Sequence, residues 1–272
     1  MSMSPQHKSL SVWLEGVGAW TPELPDWPTL RDWLRGAPAP GVEAVDKPRP
    51  TVLSASARRR APRSVLAAVD VASQAVAMTH RDASRVPSLF ATAQGDSGIV
   101  DSICATLATH PGELSPTRFH NSVHNAAAGY WTMATGCHAA SSALTAFGYT
   151  FAAGLLEAAS TAHAQSTPLL MVSYDVPGCG PLTEILATKT PFACALLVAA
   201  ERSERAVARA DIQLVRHVER DALAGRAGQL AANNVSARGI GLLQSLALRR
   251  SGVLYLQVAP QIDLKICMEH HP

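Results

Sequence analysis

The sequence predicts an α/β architecture, and three observations lead there. Pro168 to Val176 and Phe192 to Ala200 are continuous apolar runs bounded by turn residues, the pattern of central strands covered on both faces. Between Thr145 and Gln165, Phe147, Phe151, Leu155 and Leu156 are interleaved with Ala146, Ala152, Ala153 and Ala158. A helix there is apolar on nearly every face and is expected to be buried all round. Strand-like and helix-like segments also alternate along the chain, which is the order of an α/β fold.

Leu10 to Val17 partly alternates and reads as the first strand, followed by an ordered loop through Pro22, Pro25, Trp27 and Pro28. Pro38 to Pro50 carries four prolines and is expected to run over the surface. Ala61 to Met78 then places apolar residues at helical spacing. Ser88 to Ala93 reads as a strand ending at Gln94-Gly95-Asp96, and a helix is expected from about Ser97 to Thr109. Near the end, Ser236 to Arg249 reads as a helix, Val253 to Val258 as a strand and Ile262 to Ile266 as the last strand. Residues from about 266 to 272 are expected to form a flexible tail. There is no internal repeat, and residues 1–272 are read as one domain.

Apolar residues make up 47% of the 272 and charged residues only 16%. Few charges are available to cover a large surface, so part of the apolar surface is expected to lie against another subunit. A net charge of +2 points away from nucleic acid or an anionic membrane as partner. The local exception is Arg58, Arg59 and Arg60 with Arg63, read either as a solvated helix entry or as a docking patch for an acidic partner. The five cysteines, Cys104, Cys137, Cys179, Cys194 and Cys267, contain no Cys-x-x-Cys pair, and a dispersed odd set suits a reducing compartment. Met1 to Ser11 lacks the apolar run of a signal peptide and no later stretch reads as a membrane span, so a soluble cytoplasmic protein is expected. No phosphate-binding glycine motif is present. Glu269, His270 and His271 are read as a frayed tail. Neither cofactor nor metal is expected.

The most distinctive segment, Ser115 to Trp131, joins a His/Asn-rich turn to a helix of small residues. It resembles a signature of the β-ketoacyl synthase family. Ser115-Pro116, Asn125 and Ala127-Ala128-Gly129 stand in the family's order, shortly before the strand that delivers the nucleophilic cysteine. More narrowly, His120 to Trp131 and Phe151 to Glu157 resemble the short ketosynthase-like or chain-length-factor proteins of bacterial aryl polyene and xanthomonadin-type pathways. The resemblance implies a thiolase-like layered fold (α-β-α-β-α type) with a buried helix between two sheets, of which this chain matches the first half plus a short extension. It also implies a dimer contact near Phe119 to Met133 and around Pro168 to Val176. Tyr130 and Trp131 would serve there as anchors, or would fill this chain's own core. Counted forward from Gly129, the nucleophile position falls near Gly148, and Leu144 to Thr150 contains no cysteine.

A decarboxylating ketosynthase needs a thiolate to hold the acyl chain and two histidines to stabilise the thioester enolate. The family takes those histidines from its second half, so His120 and His124 are read instead as fixing a turn and capping a helix. Asn125 is expected to satisfy backbone groups at that turn. Two thiols remain as candidates: Cys137, next to His138, and Cys179, in the turn-rich loop Pro177 to Pro181 beyond a strand. Asp175 closes that strand at the same edge, and Glu157 would need a partner if its helix were buried.

The leading expectation is a catalytically silent, chain-length-factor-like subunit. It would pair with an active β-ketoacyl synthase, or with itself, and serve an acyl carrier protein in fatty acid or aryl polyene polyketide assembly, with Arg58 to Arg60 as the carrier-docking patch. Two alternatives stand beside it. One is a Cys-dependent acyltransferase or hydrolase; the other is a binding module for an acyl chain or carrier protein.

Overall fold

The computed structural model describes residues 9–41, 43–185 and 188–270. Along the chain these form β1 (Leu10–Trp20), α1 (Trp27–Leu34), α2 (Ala55–Arg60), α3 (Arg63–Thr79), β2 (Ser88–Ala91), α4 (Ser97–Thr109) and α5 (Pro116–Asn121). Then come α6 (Ala126–Thr135), β3 (Ser141–Leu144), α7 (Thr150–Gln165), β4 (Leu169–Asp175), α8 (Leu182–Ile185) and β5 (Phe192–Ala199). The last elements are β6 (Ala208–Arg216), α9 (Gly225–Asn233), α10 (Ile240–Leu248), β7 (Gly252–Ala259) and β8 (Ile262–His270).

The eight strands form one mixed sheet in the order β3-β2-β4-β5-β1-β6-β8-β7. β2 runs parallel to β3 and β4, and every other pairing is antiparallel. All residues of β4 and β5 are buried, as their unbroken apolar runs predict. Their alternate side chains feed two cores, one on each face. Leu170, Val172 and Tyr174 meet Val65, Val69 and Ala72 of α3 and Trp131 of α6. Leu169 and Met171 lie in the other core with Phe151 and Leu155 of α7, Leu30 of α1 and Leu243 of α10. Gly154 lets α7 settle on the sheet, because a Cβ there would lie 2.9 Å from Met171 Cε and 3.2 Å from Ala91 Cβ.

One sheet with a helical layer on each face is the expected first half of the layered fold. α7 therefore packs against one sheet and not between two. Its outer side carries Glu157, Ser160 and His163 in solvent, and Glu157 accepts a hydrogen bond from Thr161 Oγ1 at 3.3 Å. Burial all round was the wrong expectation because alanine raises the apolar count while adding little area that needs cover.

β4 has strands on both edges, so Pro168 to Val176 is interior and cannot form the subunit contact expected of it. The supposed loop at Trp27 is helical. Asp26 accepts from Thr29 N at 2.8 Å, and Pro28 fits the first turn, where no intrahelical N–H is needed. The supposed tail is the strand β8, with Ile266 and Met268 buried and both β6 and β7 paired to it. His271 and Pro272 of the tail, and residues 1–8 of the N-terminal stretch, lie outside the described residues. Among the described residues no helix is long and apolar enough to cross a membrane.

Candidate functional site

β3 ends at Leu144 and the chain turns through residues 145–149 into α7. Within that turn Phe147 adopts φ +47°, the left-handed region, which costs a non-glycine residue roughly 1–2 kcal/mol. The turn is held from both sides. Ala146 N donates to Thr150 Oγ1 at 3.1 Å, and Thr150 Oγ1 donates to Phe147 O at 2.7 Å. Thr145 Oγ1 donates to Ala93 O at 3.1 Å, tying the turn to the end of β2. The outcome is a phenyl ring 78% exposed at the mouth of a helix. A strained strand-to-helix turn of this kind is a way to hold a reactive side chain clear of the backbone. Here the side chain is a phenylalanine.

Gly148, where counting placed the nucleophile, is the next residue. Its carbonyl accepts from Arg238 Nη1 at 2.9 Å, and a Cβ on Gly148 would lie 2.5 Å from the same nitrogen. The guanidinium thus takes the volume a side chain at position 148 would need. Beside it lies a cavity of about 420 Å³ lined by Gly148, Phe151, Ala152, Leu223, Ala231 and Arg238, among others. Among the described residues that lining contains no thiol, carboxylate or imidazole.

Arg238 is positioned from below by Asp175, which is 1% exposed. The Asp175 carboxylate accepts from Thr92 Oγ1 and Ala93 N, both at 2.9 Å, and from Ser236 Oγ at 2.6 Å. Ser236 in turn accepts from Ser173 Oγ at 2.9 Å. Asn234 Nδ2 donates to Asp175 O at 2.9 Å. These bonds fasten the 3-10 turn Ser236–Gly239, which bears Arg238, to the ends of β2 and β4. Burial pushes the Asp175 carboxyl up to about 6, against the lowering effect of its hydrogen bonds. Asp175 does not line the cavity, and its role is to hold the turn.

The other predicted residues separate. His124 Nε2 lies 3.1 Å from Thr92 O, which ties the α5–α6 connection to the end of β2. His120 is exposed, its ring 6.4 Å from that of Tyr130. Asn125 occupies the N-cap of α6 but its side chain makes no capping bond, so it does not satisfy the turn's backbone. Ser115 caps α5 instead, accepting from Arg118 N at 3.4 Å. Tyr130 and Trp131 are buried against α3 and fill this chain's own core. A methyl group on Gly129 would meet nothing within 4 Å, so close packing within the chain does not require glycine there.

Cys137 is buried with its thiol 3.5 Å from Val86 O, whereas His138 is exposed. The two diverge and form no dyad. Cys179 lies on the surface with its thiol 3.7 Å from Asp101 Oδ2. Neither cysteine lines the cavity beside Gly148. The arginine cluster also divides: Arg58 Nη1 is taken up by Pro50 O at 3.2 Å and by Leu53 O. Arg60 borders a groove with His120 and Tyr130, and Arg59 a different one with Trp20 and Asp70.

The chain matches the family model for the N-terminal domain of β-ketoacyl synthases over residues 31–247. No curated protein matches it. Among solved structures, one chain of the ketosynthase ApeO in complex with its chain length factor ApeC, from Xenorhabdus doucetiae, superposes with a TM-score of 0.72. The identity is 20%, over 95% of this chain and 99% of that one. The ishigamide ketosynthase/chain length factor gives a TM-score of 0.68 at 13% identity, over 96% of this chain and 100% of that one. A β-ketoacyl synthase from Burkholderia phymatum STM815 gives 0.54 at 11%, over 84% of this chain and 70% of that one. At these identities the likeness is one of fold.

Proposed function

The chain belongs to the β-ketoacyl synthase family, and from that premise we propose that it is a catalytically silent, chain-length-factor-like subunit paired with an active β-ketoacyl synthase. One observation carries the reading. The turn near the family's nucleophile position presents Phe147 and Gly148, with the Arg238 guanidinium packed where a side chain would stand. Acyl transfer through a covalent thioester needs a thiolate at that point, and neither Cys137 nor Cys179 lines the cavity there.

The pairing surface follows from the sheet. Among the described residues β3 is an edge strand bonded only to β2, and an uncovered edge next to apolar side chains favours association. Phe119 on α5, Met133 on α6 and Phe147 after β3 are 61%, 68% and 78% exposed. The ketosynthase would cover this side, and Phe147 would insert into its surface and help shape the acyl pocket. Two of the structural relatives come from ketosynthase–chain length factor complexes. A third comes from a ketosynthase bound to an acyl carrier protein. The same setting here gives carrier-bound, cytoplasmic assembly of a fatty-acid-like polyene or polyketide, the aryl polyene class being the one its motif resembles.

Intact-mass analysis of the purified pair after incubation with an acyl thioester tests the silence. The acyl group is expected on the ketosynthase chain alone. An adduct on this chain that disappears with Cys137→Ala or Cys179→Ser would overturn the reading and establish a Cys-dependent acyltransferase.

A further inference from the structure

We propose that the protein also binds a phosphorylated small molecule with an apolar body, in the cleft where α1, the β5–β6 turn and the end of α10 meet. The cavity there measures about 720 Å³, within the roughly 300–1,000 Å³ of small-molecule sites. Arg31, Arg35, Arg202 and Arg249 line it against one carboxylate, Glu204. Asp32 lies 2.9 Å from Arg31 and 3.8 Å from Arg35, so four positive charges face two negative ones. A doubly charged anion would balance them. The planar guanidinium fork matches phosphate oxygens two at a time.

The backbone carrying these cations is fixed before any ligand arrives, while the Arg202 guanidinium rests 5.5 Å from the centroid of the Trp13 ring. The turn bearing Arg202 is fastened by Ser203 Oγ to Glu15 and by Arg205 Nε to Thr79 O at 2.8 Å. Glu15 itself is 1% exposed and gripped by Arg81 at 2.7 and 2.9 Å. Arg249 ends α10 in the left-handed conformation, at φ +49°. The last carbonyls of α10 also draw positive charge, and Arg35 answers them through Ala247 O at 2.6 Å. Arg202 and Arg249 enter no ion pair among the described residues. Below them Val17, Trp27, Met78 and Leu246 form an apolar floor. A recess with such a floor suits a small molecule better than a flat acidic protein face. Val17 belongs to β1, four strand positions from β3, so the cleft stays open when the β3 edge is covered and the inference stands apart from the proposed pairing.

Calorimetric titration of the purified protein with phenyl phosphate and with inorganic phosphate, in low salt, tests this. One saturable site is expected, with phenyl phosphate bound several-fold more tightly than phosphate. The double variant Arg202→Ala/Arg249→Asn, whose asparagine tolerates the left-handed cap, is expected to weaken binding at least tenfold and leave the unfolding midpoint without ligand in place. Arg85→Ala, at an exposed arginine that does not line the cleft, is expected to change nothing. Absence of saturable binding, equal affinity for the two probes, or an equal loss in Arg85→Ala would each overturn the assignment.

Discussion

Replacing Phe147 by glycine separates the stability of the chain from its association. In the chain alone the substitution relieves roughly 1–2 kcal/mol of left-handed strain and gives back roughly 0.5–1 kcal/mol through the greater freedom of glycine in the unfolded state. The ring is 78% exposed, so little packing is lost and the unfolding free energy should move by no more than about 1.5 kcal/mol. In a complex the same ring has most of its surface still to bury. A phenylalanine buries roughly 150–250 Å², so about 150 Å² remains, worth up to roughly 4 kcal/mol at about 25 cal/mol per Å². After ordering costs of roughly 0.5–1.5 kcal/mol, a loss of about 2–3 kcal/mol is expected on truncation of a buried aromatic anchor, a weakening of roughly 30- to 150-fold. Urea unfolding of Phe147→Gly gives the first quantity, and titration against the ketosynthase the second. Unchanged affinity would refute the placement of Phe147 in the interface. A large loss of chain stability would refute the claim that its ring is unused within the fold.

Two further substitutions probe the support beneath the turn. Asp175 is protonated in the native state up to about pH 6, against 3.8 for an ordinary carboxyl. The folded state therefore holds a proton that the unfolded state releases, and stability falls as pH rises through that window, by about 3 kcal/mol at 1.36 kcal/mol per pH unit. Asp175→Asn should abolish this component, seen as diverging pH profiles of unfolding for the two proteins between about pH 4 and pH 7; parallel profiles would contradict it. Gly239→Ala would place a methyl group 2.3 Å from the Phe151 ring, and should cost about 1–3 kcal/mol by overpacking. Its thermal midpoint would show this, and an unchanged midpoint would mean that the Ser236–Gly239 turn moves freely over α7.

Segments whose pattern is local were legible in the sequence. β4 and β5 follow from unbroken apolar runs, and α3 from its helical spacing. α1 was missed because Trp27 and Pro28 read as loop punctuation, although Asp26 before them is an N-cap residue. β6 was missed because half of it faces solvent, which gives no continuous run. β8 was shortened because Cys267 and Glu269 dilute its apolar character, while pairing on both sides settles it. At the site, counting residues reached Gly148 but could not see a backbone dihedral, and the strain falls on Phe147. The sequence Ala146-Phe147-Gly148 between a strand and a helix was the available signal. Arg238 lies 90 residues away in sequence, and the burial of Asp175 depends on Ser236 and Asn234, so neither role has a local signature.

If the chain works by association, co-expression with the β-ketoacyl synthase encoded nearest to it yields a stable one-to-one complex, read as the molar mass of the purified species in solution, and Phe147→Gly weakens that complex. A chain that purifies alone, with the ketosynthase recovered separately at the same concentrations, would contradict it.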